Sequence, residues 1–402
     1  MSTPPPVESS GPPTEAERTA EVRRLLDFAG ASRVPAGFGW LDTAGRLDAA
    51  RPVELWISCR MTHVHALASV LDPDPQWEAM LDHGVATLLA PGALHDAAHG
   101  GWFAAVAADG SATLDSAKQA YAHAFVVLAG ASATGAGHPD GARLLAEALE
   151  VLRERFWDDA AGMVVETYDA AFAELDPYRG LNANMHAVEA LLAAHDATGD
   201  PWPLEAAARI GDRVAHDLGP AFDWRLPEHF DASWTPQPDL NRERPADPFR
   251  PYGVTVGHLF EWARLLTHLD LARGGTAAAP AAAALYDRAC EAWAADAVPG
   301  FAYTTDFEGV PVVRSRMHWV IAEAMAAATA LGRPDDEARF TAFAWQHHRD
   351  AVGGSWWHEL DADLTPSSTV WPGKPDVYHA LQALWLPRLW PCASFVVGEG
   401  RG

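Results

Sequence analysis

Residues 319–350 read WVIAEAMAAATALGRPDDEARFTAFAWQHHRD. The first part, 319–331, is apolar almost all round, and a helix of that kind is buried. The second part, 335–350, spaces its apolar residues at helical intervals and keeps its charges on the outside, which predicts an amphipathic surface helix. The same two kinds recur along the chain. Residues 141–156 place Leu144, Leu145, Ala148, Leu149 and Leu152 on one side, with Glu147, Glu150 and Arg153 on the other, whereas 187–194 is again apolar nearly all round. Helical spacing also runs through 15–28, 187–197, 205–218, 256–271, 281–294 and 317–331. Few runs alternate with period two, and pieces such as 162–167 read as hairpins or connections.

Alternating inner and outer helices predict one ring wrapped by another. The fold expected is all-α: a single-domain (α/α)6 barrel over residues 15–395, with roughly 65 residues for each helix pair and its loop. An open solenoid of stacked pairs is the competing arrangement. Residues 1–14 read as a flexible Pro-rich tail, since five prolines fall in the first 13 positions. Residues 219–255, with seven prolines and with Arg225, Glu228, His229, Asp231, Arg242, Arg244 and Arg250, form a long connection of the kind that is usually functional. Residues 353–377, with Trp356, Trp357, Trp371 and Lys374, form another, and both are expected to shape a pocket mouth.

Among the 402 residues, 29 are basic and 54 acidic, a net charge of −25 that argues against nucleic-acid and anionic-membrane partners. No stretch is apolar and long enough to span a membrane. The N-terminus has neither a basic region nor an apolar one of secretory type, and the three cysteines, Cys59, Cys290 and Cys392, form no CxxC, so a reducing cytoplasm is expected. The 17 tryptophans suit a large aromatic core, or else a pocket for a ligand with flat apolar faces and a polar rim, such as a sugar.

Several of the 18 histidines stand at the entrance of inner-type helices: His63, His186, His258 and His379. One such residue is ordinarily a hydrogen-bonded core group, but four at equivalent places would converge on one rim. His258 and Glu261 are three residues apart, as are His186 and Glu189, so each pair shares a helix face, where a carboxylate can orient an imidazole and raise its basicity. Two chemistries fit. The histidines could ligate a metal, which the spacing does not support, or carry protons near neutral pH. The second, with an Arg to hold a sugar, makes an aldose–ketose isomerase or an epimerase. A glycoside hydrolase would need two facing carboxylates, for which Glu261 and Glu323 are available. Nucleotide-binding GxGxxG and P-loop patterns are absent.

The segments SCRMTHVHALA, LNANMHAVEALLA, VGHLFEWARLL, MHWVIAEAMAA and GKPDVYHALQALWLP, in that order, resemble the N-acylglucosamine 2-epimerase superfamily. Within it the chain is most similar to the aldose–ketose isomerases that act on mannose or sulfoquinovose. The resemblance runs from about residue 35 to 390. It implies an (α/α)6 barrel and a cytoplasmic sugar isomerase working on a monosaccharide, most simply D-mannose to D-fructose or D-lyxose to D-xylulose, with no cofactor and no metal. It also implies roles. His258 and His379 correspond to the acid/base pair, Arg60 to the arginine holding substrate oxygens, and His186 to a third histidine contacting the substrate. Glu261 corresponds to a carboxylate paired with His258, and Glu323 to a later pocket glutamate. Asn182, Trp319, Trp371 and Tyr121 fall at places that line the pocket in relatives. A sulfoquinovose isomerase, whose sulfonate Arg242, Arg244 or Arg250 would meet, a 2-epimerase, and a sugar-binding protein without turnover are the alternatives.

Overall fold

A computed structural model describes residues 12–293, 295 and 297–396. Most of the expected tail, 1–11, lies outside them, as does residue 294 at the end of one expected helix. Among the described residues, twelve helices of ten residues or more form six pairs. The inner helices are α2 (Leu55–Leu71), α4 (Ala120–Gly135), α6 (Leu181–Thr198), α8 (Val256–Arg273), α10 (His318–Ala330) and α12 (Tyr378–Leu389). The outer helices are α1 (Glu15–Ala29), α3 (Pro75–Leu89), α5 (Gly141–Val151), α7 (Pro201–Arg213), α9 (Ala279–Cys290) and α11 (Pro334–Phe343).

The two classes differ as their sequences require. In α2, 14 of 17 residues are buried, whereas α5 buries only Gly141, Leu144, Leu145 and Ala148, a single stripe at helical spacing. Each inner helix packs on the next around the ring, and α12 packs back on α2. That last contact closes the ring and decides for the barrel over the open solenoid. The first helix and the connection between α11 and α12 are locked together at the seam. Buried Glu21 on α1 accepts from Arg349 Nε at 2.6 Å and Trp356 Nε1 at 2.9 Å. Three outer helices run on into a wider π turn, Leu152–Phe156, Val214–Leu218 and Ala344–His348, which accounts for the longer helices expected at 141–156, 205–218 and 335–350.

Inner and outer partners are joined by short links at one end of the barrel. Asp74 and Asp200 cap α3 and α7, each followed by a proline in the first turn. At the other end the links are long and carry antiparallel strand pairs of two or three residues. Two of these links use the same staple. Lys118 Nζ, just before α4, binds Asp96 Oδ2 at 2.9 Å and the Gly100 carbonyl at 3.0 Å; Lys374 Nζ, before α12, binds Asp350 Oδ2 at 2.6 Å and the Gly354 carbonyl at 2.8 Å. Among the described residues no helix is long and apolar enough to cross a membrane.

Candidate active site

All six inner helices begin at the long-loop end, so their N-termini surround one open-mouthed cavity with about 660 Å3 of space, solvent at its mouth included. Helix periodicity then selects what faces it. The second and sixth residues of an inner helix stand on one face. In α2 these are Trp56 and Arg60, in α6 Asn182 and His186, and in α4 the second is Tyr121. In α8 the lining residues are His258 and Glu261, in α10 His318 and Trp319, and in α12 His379. The two long connections complete the mouth with Pro248, Phe249, Pro251, Trp371, Pro375 and Asp376.

Nine of the ten site residues expected from the sequence line this cavity: Arg60, Tyr121, Asn182, His186, His258, Glu261, Trp319, Trp371 and His379. The tenth, Glu323, is placed behind His379 rather than against the cavity. Its Oε1 accepts from His379 Nδ1 at 2.8 Å and its Oε2 from Arg264 Nε at 2.9 Å. The pairing expected between His258 and Glu261 is also corrected. His258 donates from Nδ1 to Glu228 Oε1 at 2.9 Å, a residue of the 219–255 connection brought in beside the strand pair Arg179–Gly180 and His229–Phe230. His258 lies in the first turn of α8 and leans to the rim; Glu261, one turn deeper, faces the axis, 3.6 Å from His186 Nδ1 and 3.6 Å from Arg264 Nη2. His186 and Glu189 do meet, at 3.5 Å.

His63 is not on the cavity. It is buried in α2, with Nδ1 on Ser132 Oγ at 2.7 Å and Nε2 3.2 Å from Gln382 Nε2, so it is a core group. Lining residues that the sequence reading passed over are Trp56, Phe249, Tyr303, His318, His358 and Asp376. Position would have found two of them, because Trp56 is the second residue of its inner helix and Asp376 stands three before His379. Nothing comparable marks His358, whose ring stacks on His318 at 3.8 Å between centroids.

The two carboxylate-held imidazoles share one wall. The Trp319 ring lies 5.2 Å from that of His258 and 5.7 Å from that of His379. Each carboxylate accepts the Nδ1 proton, which leaves Nε2 as the ring nitrogen turned to a ligand. Burial lowers the His379 pKa below the usual imidazole value, although its hydrogen bond to Glu323 opposes this. Arg60 spans the mouth, with Nη1 3.3 Å from Asp376 Oδ2 and Nη2 3.1 Å from the Tyr121 hydroxyl. Beneath, Glu189, Glu261 and Glu323 crowd around Arg264. Burial and the neighbouring Glu323 charge push Glu261 well above the carboxylate range, and among the described residues neither of its oxygens has a hydrogen-bond partner. Burial would also raise Glu323, but Arg264 and the His379 hydrogen bond outweigh it and hold it ionised. Ligand atoms of His186, Glu189 and Glu261, and of Glu261, Glu323 and His379, come within 4.8 Å of one another. The oxygens of Glu323 and Glu189 are committed to protein donors, Glu189 receiving Tyr378 and Gln382, so both groups of residues read as hydrogen-bond networks.

A closed barrel with two such imidazoles on one small aromatic cavity is the architecture of an enzyme that moves protons on a compact polar substrate. The profile of the N-acylglucosamine 2-epimerase (GlcNAc 2-epimerase) family matches residues 36–383. A D-mannose isomerase of Thermobifida fusca is 48% identical over 391 residues, 94% of this chain and 95% of that one. A D-mannose isomerase of Pseudomonas cannabina pv. alisalensis is 44% identical over 384 residues, 92% of this chain and 91% of that one. A crystal structure of a D-mannose isomerase superposes with a TM-score of 0.85 at 26% identity, covering 93% of this chain and 98% of the other. The chain belongs to the N-acylglucosamine 2-epimerase family.

Proposed function

We propose that the protein interconverts D-mannose and D-fructose by proton transfer through a cis-enediolate, as one catalytic unit spanning residues 15–395 and working in the cytoplasm. The observation that carries this reading is the pair of imidazoles, His258 and His379, each held through Nδ1 by a carboxylate and both packed on Trp319 in one cavity. His379 is the base that takes the C2 proton and delivers it to C1; its lowered pKa keeps it neutral at pH 7. His258 moves the proton between O1 and O2 and opens the ring. Negative charge on the enediolate is met by Arg60, by the Asn182 amide and by the positive N-terminal ends of the inner helices around the cavity. Glu261, kept protonated, donates to a sugar hydroxyl. Three free cysteines, one of them fully buried, suit a reducing compartment.

Sulfoquinovose is the weaker substrate, because the loop arginines are engaged elsewhere. Arg242 binds Asp239 at 2.9 Å, Arg244 binds Asn241 at 3.2 Å, and Arg250 covers the Tyr178 ring at 3.8 Å. Among the described residues, Arg60 is the arginine on the cavity. The test is a panel of mannose, fructose, glucose, lyxose, sulfoquinovose and cellobiose in D2O, with products resolved by NMR. Mannose and fructose should interconvert with deuterium entering C1 of fructose, and lyxose, which is mannose without its terminal CH2OH, should react more slowly. Binding without conversion would make this a sugar-binding protein, and faster conversion of sulfoquinovose or cellobiose would displace mannose.

The shared wall gives a second test. A Cβ on Gly257 would lie 2.2 Å from Trp319 Cζ3, so glycine is what allows the indole to sit between the two histidines. Gly257→Ala should cost about 1–3 kcal/mol through overpacking. It should also lower kcat/KM by about 10²-fold, because displacement by an ångström disturbs a reacting geometry. Adding Trp319→Phe should recover the melting temperature but not the rate. A Gly257→Ala enzyme of full activity would remove Trp319 from any positioning of the pair.

A further inference from the structure

Arg264 does not line the cavity, standing behind Glu261 at 3.6 Å, yet it separates the two histidines chemically. Their immediate surroundings are matched: His258 on Glu228 at 2.9 Å, and His379 on Glu323 at 2.8 Å. The next layer is not. Glu323 has the Arg264 guanidinium 2.9 Å from its other oxygen, whereas among the described residues no Lys or Arg stands at ion-pair distance from Glu228. Arg264 is 1% exposed. It is sealed from below by the C-terminal segment, where the Phe395 ring lies 5.6 Å from the guanidinium carbon and the Cys392 carbonyl is 2.7 Å from His268 Nδ1. A desolvated cation acts strongly on its neighbours.

We propose that Arg264 is a positioning residue that distinguishes the two imidazoles: by neutralising and fixing Glu323 it makes His379 the proton acceptor, a support that nothing behind Glu228 gives to His258 among the described residues. This rests on the reading of His379 as the base. A carboxylate already paired with a guanidinium attracts an imidazolium less, so His379 releases its proton more readily than it would beside an unpaired Glu323. The other charged or titratable groups around His379 do not substitute for this pair. Arg60 and Asp376 are matched with each other at 3.3 Å, and burial holds His186 near 4, His358 near 3 and His318 well below the imidazole range, so all three are neutral. Around Arg264 itself, Glu189 stands 3.9 Å away with its oxygens on Tyr378 and Gln382, burial and the Glu323 charge push Glu261 well above the carboxylate range, and burial lowers His268 to about 4. Among the described residues, Glu323 is the carboxylate at hydrogen-bond distance from Arg264.

The experiment compares wild type with Arg264→Gln, Arg264→Lys and Phe395→Ala, the last of which admits water beneath the guanidinium. Two quantities are read: the pH profile of kcat and kcat/KM on mannose, and the titration midpoint of His379 by imidazole 13C NMR, assigned by difference from a His379→Asn sample. In Arg264→Gln, Glu323 is unshielded and favours the imidazolium. The His379 midpoint and the acidic limb of the profile should therefore both rise by a pH unit or more. At pH 6.5, kcat should fall at least tenfold with KM within about twofold. Arg264→Lys should keep the limb near its wild-type place, and Phe395→Ala should raise the midpoint by a smaller step. An unmoved His379 midpoint in Arg264→Gln overturns the proposal even if activity drops, since a merely structural arginine would give that result. Should that variant not fold, Phe395→Ala carries the test, and an unmoved midpoint there overturns it. A midpoint that moves while the kinetic limb stays fixed sustains Arg264 and instead removes His379 as the base.

Discussion

His379→Asn and His258→Asn should each lower mannose turnover by 10²–10⁴-fold, the range a general acid or base contributes. Asparagine is the informative replacement. Its amide still donates to the carboxylate that held the imidazole, Glu323 or Glu228, so neither carboxylate is stranded. What is lost is a group that can take and return a proton near pH 7. The two variants should differ in kind. Without His379 the C2 hydrogen of mannose should no longer exchange with D2O, because nothing removes it once the ring is open. Without His258, C2 exchange should persist at a reduced rate on the small open-chain fraction of mannose, while net fructose formation fails because the proton between O1 and O2 is not moved. The double variant should be little worse than the slower single one, as residues of one proton path are strongly non-additive. A single variant within tenfold of wild type would remove that histidine from the path, and exchange surviving in His379→Asn alone would transfer the base role to His258.

The barrel was legible because burial acts on helices as wholes. Leu55–Leu71 and His318–Ala330 have no solvated face and Gly141–Val151 has a narrow buried one, so composition and period alone sort inner from outer. Ring closure was not legible, since it depends on α12 meeting α2 across more than 300 residues of chain, and no local pattern records that contact. At the site, His186 was readable from its place at the start of an inner helix, whereas Arg60, Asn182 and Trp319 came only from the family resemblance, although helix register is what turns Arg60, Asn182 and His186 to the cavity. What register cannot give is the partner arriving from elsewhere. Glu261 looks like the partner of His258 because they are three apart, but a helix N-terminal residue leans outward and meets the loop. Glu228 takes the place, and it sits in a Pro-rich segment with other charges and no periodicity to single it out. The same holds for Arg264, which helical spacing marks as core and which earns attention only once Glu323 is seen behind His379.

Acid should unfold this protein well above pH 4. Burial pushes His65, His123 and His358 down to about 3, and His63, His186, His268 and His348 down to about 4. In the unfolded chain they return to about 6.5. Between those values the unfolded state binds more protons than the folded one, so stability rises with pH there. It is fully present above about pH 6.5 and drains away as the pH falls toward 4. One pH unit between folded and unfolded values is worth about 1.4 kcal/mol for each group. Seven groups acting together, even at half that effect, remove about 5 kcal/mol for each pH unit below 6.5, so two to three units exhaust the roughly 5–15 kcal/mol by which domains are stable. The expected result is a cooperative loss of helical ellipticity between about pH 6 and pH 4, with several protons taken up in the transition; an unchanged melting temperature from pH 7 to 4.5 would contradict it. His65 isolates one contribution. Its ring stacks on Trp77 at 5.7 Å between centroids, and neither nitrogen has a protein partner. It lies on α2 outside the cavity lining, so His65→Leu should leave turnover intact. Leucine at similar volume removes two unpaired polar atoms, a gain of about 1–3 kcal/mol at pH 7, and it removes one proton from the transition. The acid midpoint should therefore shift to lower pH with a shallower slope, and a midpoint shifted upward would show that the His65 ring is bonded in a way its buried surroundings do not reveal.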